Sequence, residues 1–132
     1  RKQIKQLPVG IVGIERFYDQ EELCRLYSSA ELFVNLTYGD NYPTTNLEAI
    51  ACGTPVITYK TGGSPESVTE DTGFVIEQGN IKKVYDIIIN YNKNKTVVDA
   101  CRQYAEKTFD QNLCFENYYD LYSEIIKRNG YI

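Results

Sequence analysis

Between Val9 and Glu77, short apolar, β-branched runs alternate with stretches whose apolar residues recur at helical spacing, and few folds accommodate that alternation. Val9-Gly-Ile-Val-Gly-Ile14 reads as a buried strand, after which Asp19 opens a helical stretch with Leu23, Leu26, Tyr27 and Ala30. Leu32-Phe-Val-Asn35 reads as a second strand. It leads through a polar loop, Thr37 to Thr45, into the helix formers Leu47, Glu48, Ala49, Ile50 and Ala51, which Gly53 stops. Pro55 to Tyr59 forms a third strand and Gly73 to Glu77 a short fourth. Strands that alternate with helices predict a parallel α/β sheet, since every return to the sheet crosses over.

Beyond Gly79 only helical periods remain. Ile81, Val84, Tyr85, Ile88 and Tyr91 mark one helix; Val97, Val98, Cys101, Tyr104 and Ala105 a second; Phe115, Tyr118, Tyr119, Leu121, Tyr122, Ile125 and Ile126 a third. These helices are expected to pack on the sheet, with a neighbouring domain as the alternative cover for Tyr119 and Tyr122. At 132 residues and 42% hydrophobic content, residues 1–132 are expected to form a single domain with its own core. No apolar run approaches the ~18 residues of a membrane span, and Arg1 to Lys5 lack the apolar stretch of a signal peptide. The chain therefore reads as soluble and cytoplasmic. Asn35-Leu-Thr and Asn94-Lys-Thr match glycosylation sequons, but nothing else in the sequence points to secretion.

Absences narrow the chemistry. There is no Met, so residue 1 is not a translation start and the chain is expected to be a piece of a longer protein. Without His, imidazole metal sites, Ser-His triads and His general bases cannot be assembled from these residues. A net charge of -4 without a long basic run argues against nucleic-acid and anionic-membrane partners. Cys24, Cys52, Cys101 and Cys114 show no C-x-x-C spacing and are expected to be buried free thiols. Neither a dinucleotide G-x-G-x-x-G fingerprint nor a G-x-x-x-x-G-K-[ST] phosphate loop is present.

In an open parallel sheet, ligands sit beyond the carboxyl ends of the strands, where helix N-termini attract phosphate. Two loops reach that position, 37–47 and 60–66. In the first, Gly39 allows close backbone approach, and Thr44, Thr45 or Asn46 can cap the following helix. Asp40 on the loop and Glu48 just inside the helix can face one cavity at different depths, a pairing suited to a polyhydroxylated ligand. The bland reading of the same two acids is a solvated loop residue and a Glu stabilising the helix dipole. In the second loop, Gly62 and Gly63 can turn successive N–H groups into a site, or form an ordinary turn.

Three ordered motifs decide between these readings. Leu47-Glu-Ala-Ile-Ala-Cys-Gly-Thr-Pro-Val-Ile57, Gly62-Gly-Ser-Pro-Glu66 and Thr72-Gly-Phe-Val-Ile76 together resemble the donor-binding domain of the glycosyltransferase family 4 enzymes, of GT-B architecture. The resemblance covers nearly the whole chain and implies a Rossmann-like parallel sheet flanked by helices, with further helices at its C-terminal end. It implies a retaining transferase of hexosyltransferase type that moves sugar from a nucleotide sugar to a glycan or lipid-linked acceptor. This piece would supply donor binding and would be inactive by itself. Glu48 is implied to bind the ribose hydroxyls, and Asp40, where the family usually has Glu, to contact the transferred sugar as the catalytic acid residue. Gly39, Asn41, Tyr42, Thr44, Thr45, Asn46, Leu47, Gly62 and Gly63 are implied to line the donor site, and Ile14, Glu15 and Arg16 the base pocket. No metal or cofactor is implied, and a UDP-sugar is favoured over a GDP-sugar. The acceptor domain and the family's paired Arg and Lys are expected upstream, with any membrane association; Arg1, Lys2 and Lys5 are not assigned that role. The alternative is a non-catalytic Rossmann-like binding or assembly module that pairs through its tyrosine-rich helices.

Overall fold

The computed structural model of the protein describes residues 7–14 and 16–130. Helix α1 spans Gln20–Ser29, β1 Phe33–Asn35, α2 Thr44–Ala51, β2 Val56–Tyr59 and β3 Gly73–Ile76. Helices α3 (Ile81–Asn90), α4 (Lys95–Thr108) and α5 (Gln111–Arg128) follow, and a single 3-10 turn, Ser64–Ser67, lies between β2 and β3. The strands run parallel in the order β1-β2-β3, with Val34 opposite Ile57 and Ile57 opposite Phe74. This is the α/β sheet that the alternation predicts.

The central strand organises the layers. All four β2 residues are buried, and the pleat sends successive side chains to opposite faces. Val56 joins Tyr27, Ala49, Ile50, Cys101 and Ala105, so α1, α2 and α4 cover one face of the sheet. Ile57 and Tyr59 join Ile76 and Val84, so α3 covers the other. A fully buried side chain such as Ile57 stabilises the fold by about 1.5–3 kcal/mol. Both cores thus meet at β2.

Helix starts follow the polar residues placed for them. The side chains of Asp19, Asn80, Asn94 and Asp110 accept backbone N–H groups from the first turns of α1, α3, α4 and α5. Asn94 of the second sequon is therefore a helix cap, and Asn35 of the first lies in β1. Helix α2 ends where the sequence places its stop: Gly53 adopts φ +76, the left-handed conformation that closes a helix. At the far end of α1, Lys93 Nζ donates to the carbonyls of Ser28 and Ala30, tying that helix to the α3–α4 connection.

Three expectations are corrected. Val9 to Ile14 forms no strand among the described residues; Val12 is 83% exposed and the Ile11 amide closes a turn on the Pro8 carbonyl. A β-branched run becomes a strand only against a ladder partner, and among the described strands β1 pairs with β2 alone. Helix α5 does not pack on the sheet: none of its residues is buried, and Tyr119 is 73% exposed. The cysteines are all free, but only Cys101 is buried; Cys52 and Cys114 are half-buried and Cys24 is exposed, because α1 turns it outward beside Glu21 and Arg25.

Candidate functional site

Two loops leave the carboxyl ends of β1 and β2 and are fastened to each other. The Gly63 amide donates to the Asp40 carbonyl at 3.0 Å, and the Thr61 hydroxyl donates to the Thr37 carbonyl at 2.9 Å. A Cβ on Gly62 would lie 2.0 Å from the Asp40 carbonyl oxygen, and one on Gly63 1.8 Å from that of Asn41. The glycine pair therefore serves close backbone approach. Only Gly62 has positive φ, at +52, and the Gly63 N–H is already committed to Asp40, which corrects the expectation of two successive N–H groups turned into a site.

Within the first loop, Asp40 Oδ1 accepts the Tyr42 amide at 3.0 Å, and the carboxylate stays exposed. The Thr37 hydroxyl bonds the Gly39 carbonyl, while Asn41 is exposed. The Tyr42 phenol has its pKa raised by burial, then by the charges of Tyr104, Glu66 and Cys114. Pro43 precedes α2 without a side-chain cap, so none of Thr44, Thr45 and Asn46 is the cap that sequence spacing suggested. Thr44 and Thr45 are exposed and stand at the helix start, where backbone N–H groups lack partners within the helix. Leu47 is half-buried.

Asn46 has a different task from the one expected of it. It is fully buried, accepts from Asn35 Nδ2 at 2.9 Å and donates to Ser67 Oγ at 2.9 Å; Ser67 in turn donates to the Ser64 carbonyl. One amide thus locks β1, α2 and the 3-10 turn together. Its burial comes from helical position, since Asn46, Ala49 and Ile50 share the face turned to the sheet.

Glu48, in the second turn of α2, is exposed, and its Oε2 accepts the Tyr27 hydroxyl at 3.2 Å. Tyr27 is 8% exposed, its ring set edge-on to Phe33 at 5.3 Å. Burial, then the Glu48 charge and hydrogen bond, push the Tyr27 pKa from 10.0 up to about 12, so the phenol remains a donor at neutral pH. Glu48 and Tyr27 line a cavity of about 370 Å³, walled by Phe17, Tyr18, Leu23 and Cys24. Asp40 does not line it. The structure therefore brings Glu48 together with Tyr27 and not with Asp40: Glu48 is engaged from α1, whereas Asp40 is engaged within its own loop by the Tyr42 amide.

The base-pocket residues fare unevenly. Ile14 is half exposed, the Arg16 guanidinium lies 5.2 Å from the Tyr18 ring centroid, and neither lines the cavity. Glu15 lies outside the described residues, as do Arg1, Lys2 and Lys5. Phe17 and Tyr18 line the cavity instead, and sequence reasoning passed over them. The signal was an aromatic pair directly before the capping Asp19. In the sequence, Tyr27 stands out only as part of an apolar helix face. Among the described residues no group of three or more Cys, Asp or Glu is placed to hold a metal ion, and no helix is long and apolar enough to cross a membrane.

The chain is 27% identical over 120 residues to N-acetyl-alpha-D-glucosaminyl L-malate synthase of Bacillus anthracis, a match covering 86% of this chain and 32% of that protein. Among solved structures, sucrose-phosphate synthase from Thermosynechococcus elongatus superposes with a TM-score of 0.70 at 24% identity, covering 89% of this chain and 31% of that one. HepE of Anabaena, solved in complex with UDP, superposes with a TM-score of 0.63 at 22% identity, covering 76% and 29%. The likeness fits a partial Rossmann-like domain of GT-B architecture, and the chain spans about a third of the length of these relatives. The model of the glycosyl transferases group 1 family matches residues 3–108, and the chain belongs to that family.

Proposed function

We propose that the chain is the donor-binding region of a retaining, sugar-nucleotide-dependent glycosyltransferase of family 4, acting with an acceptor domain outside these residues. The observation that carries this reading is the Glu48 cavity: a carboxylate held by a buried tyrosine, in a cleft between α1 and α2 that Phe17 and Tyr18 also line. The nucleoside occupies the cavity. Its base stacks on the aromatic wall, and the ribose hydroxyls donate to Glu48. The pyrophosphate lies along the start of α2, whose unpaired N–H groups and dipole stabilise the charge that develops as the glycosidic bond breaks. Asp40, four residues ahead of α2, meets the transferred sugar. A nucleotide sugar is elongated, so its two hydroxylated ends suit two separated carboxylates with helix amides between them in sequence.

No metal or other cofactor takes part in this scheme, the donor is a UDP-sugar in preference to a GDP-sugar, and the acceptor is a glycan or lipid-linked sugar. Titrating the full-length protein with a panel of uridine and guanosine sugar nucleotides tests the reading. Saturable binding of a uridine member is the expected result; no binding to any member overturns it. Tyr27→Phe keeps the ring packing and removes one hydrogen bond to Glu48. It is expected to weaken nucleotide binding by about 1 kcal/mol, roughly fivefold, while leaving the melting temperature nearly unchanged.

A further inference from the structure

Two thiols share the wall of the Glu48 cavity, and the proposed donor scheme gives neither of them a role. Cys24 lies one turn before Tyr27 on α1, and Cys52 one turn after Glu48 at the end of α2, its amide bonded to the Glu48 carbonyl at 3.0 Å. Spacings of three and four residues keep each pair on one helix face, so Cys24 and Cys52 line the same cavity as the Tyr27–Glu48 hydrogen bond. Burial, then the neighbouring Cys24 side chain, raise the pKa of the Cys52 thiol. Cys24 is exposed and Cys52 half-buried, so Cys24 is the thiol that solvent reaches first.

We propose that Cys24 and Cys52 are a reversible oxidation site, closed to a disulfide by peroxide, and that closure narrows the adjoining nucleotide cavity. Peroxide first oxidises the exposed Cys24 thiol to a sulfenic acid and leaves as water. The Cys52 sulfur then attacks the Cys24 sulfur: the S–S bond forms, the S–O bond breaks, and the hydroxyl departs as a second water with the Cys52 proton. Two thiols lose one electron each, and one peroxide is reduced to two waters. Closing the S–S bond draws α1 toward the end of α2 and shifts the adjoining Tyr27–Glu48 contact. This last step rests on the proposed donor site; the disulfide itself does not.

The test treats the reduced full-length protein with hydrogen peroxide and maps its peptides without reductant. A Cys24–Cys52 linked peptide, lighter by two hydrogens, is expected; it disappears with dithiothreitol and does not form in Cys24→Ser or Cys52→Ser. Oxidation of Cys24 to a sulfinic acid with Cys52 still reduced, or pairing of either with Cys114, overturns the site. Using UDP as the probe, the oxidised protein is expected to bind about fivefold or more weakly than the reduced one. An unchanged affinity with the disulfide formed overturns the narrowing. A disulfide that forms in a protein to which UDP never binds supports the thiol pair and refutes the donor reading.

Discussion

Glu48→Gln is expected to weaken binding of the nucleotide sugar by about 1.5–3 kcal/mol, roughly 10- to 150-fold, with little change in stability. The size follows from what the substitution alters. A carboxylate accepts hydroxyl hydrogens on both oxygens as charge-assisted bonds, whereas an amide keeps one neutral acceptor and presents two donors where the ribose also donates. Tyr27 remains satisfied in the variant because its hydroxyl can donate to the amide oxygen, so the loss falls on the ligand and not on the contact between α1 and α2. Glu48 is exposed and forms no ion pair among the described residues, so folding is expected to change by no more than about 0.5 kcal/mol. Calorimetric titration of both proteins, with thermal melts as the control, reads the two effects separately. Equal affinities would remove Glu48 from the binding site and with it the ribose assignment.

How much of this was legible beforehand depends on the range of the forces involved. Local signals carried far: Asp19 opening α1, Gly53 closing α2 and the β-branched cores of β1, β2 and β3 all act over a few residues, and each stands where the sequence places it. Val9 to Ile14 has the composition of a strand, but pairing is a property of two segments and its partner is not encoded in the run itself. The site divides along the same line. Glu48 was found through its motif, whereas its contact with Tyr27 crosses 21 residues and depends on how α1 docks on α2. Asn46 misled for a related reason. Three candidate polar residues stand in a row at Thr44, Thr45 and Asn46, and helical phase alone decides that the third turns inward to Asn35 and Ser67.

Gly63→Ala is expected to be strongly disruptive, although nothing in its own backbone forbids a side chain. Gly63 has φ -89 and ψ 4, which alanine adopts readily. The obstacle is the facing chain, since the new Cβ would sit 1.8 Å from the Asn41 carbonyl oxygen, a backbone atom that cannot swing aside as a side-chain tip can. The loops must part. Separation also stretches the Gly63 amide from the Asp40 carbonyl, adding about 0.5–1.5 kcal/mol to an overpacking cost of about 1–3 kcal/mol. Asp40 then loses the anchor that fixes its height above α2, so turnover should fall further than nucleotide affinity, which depends on the separate Glu48 cavity. Gly39→Ala serves as the control for stability, because Gly39 has no atom within 4 Å of a built Cβ and no positive φ; it is expected to shift unfolding by less than about 0.5 kcal/mol. Denaturant unfolding of both variants compares them directly, and a Gly63→Ala protein as stable as Gly39→Ala would mean that the two loops are not fastened together as described.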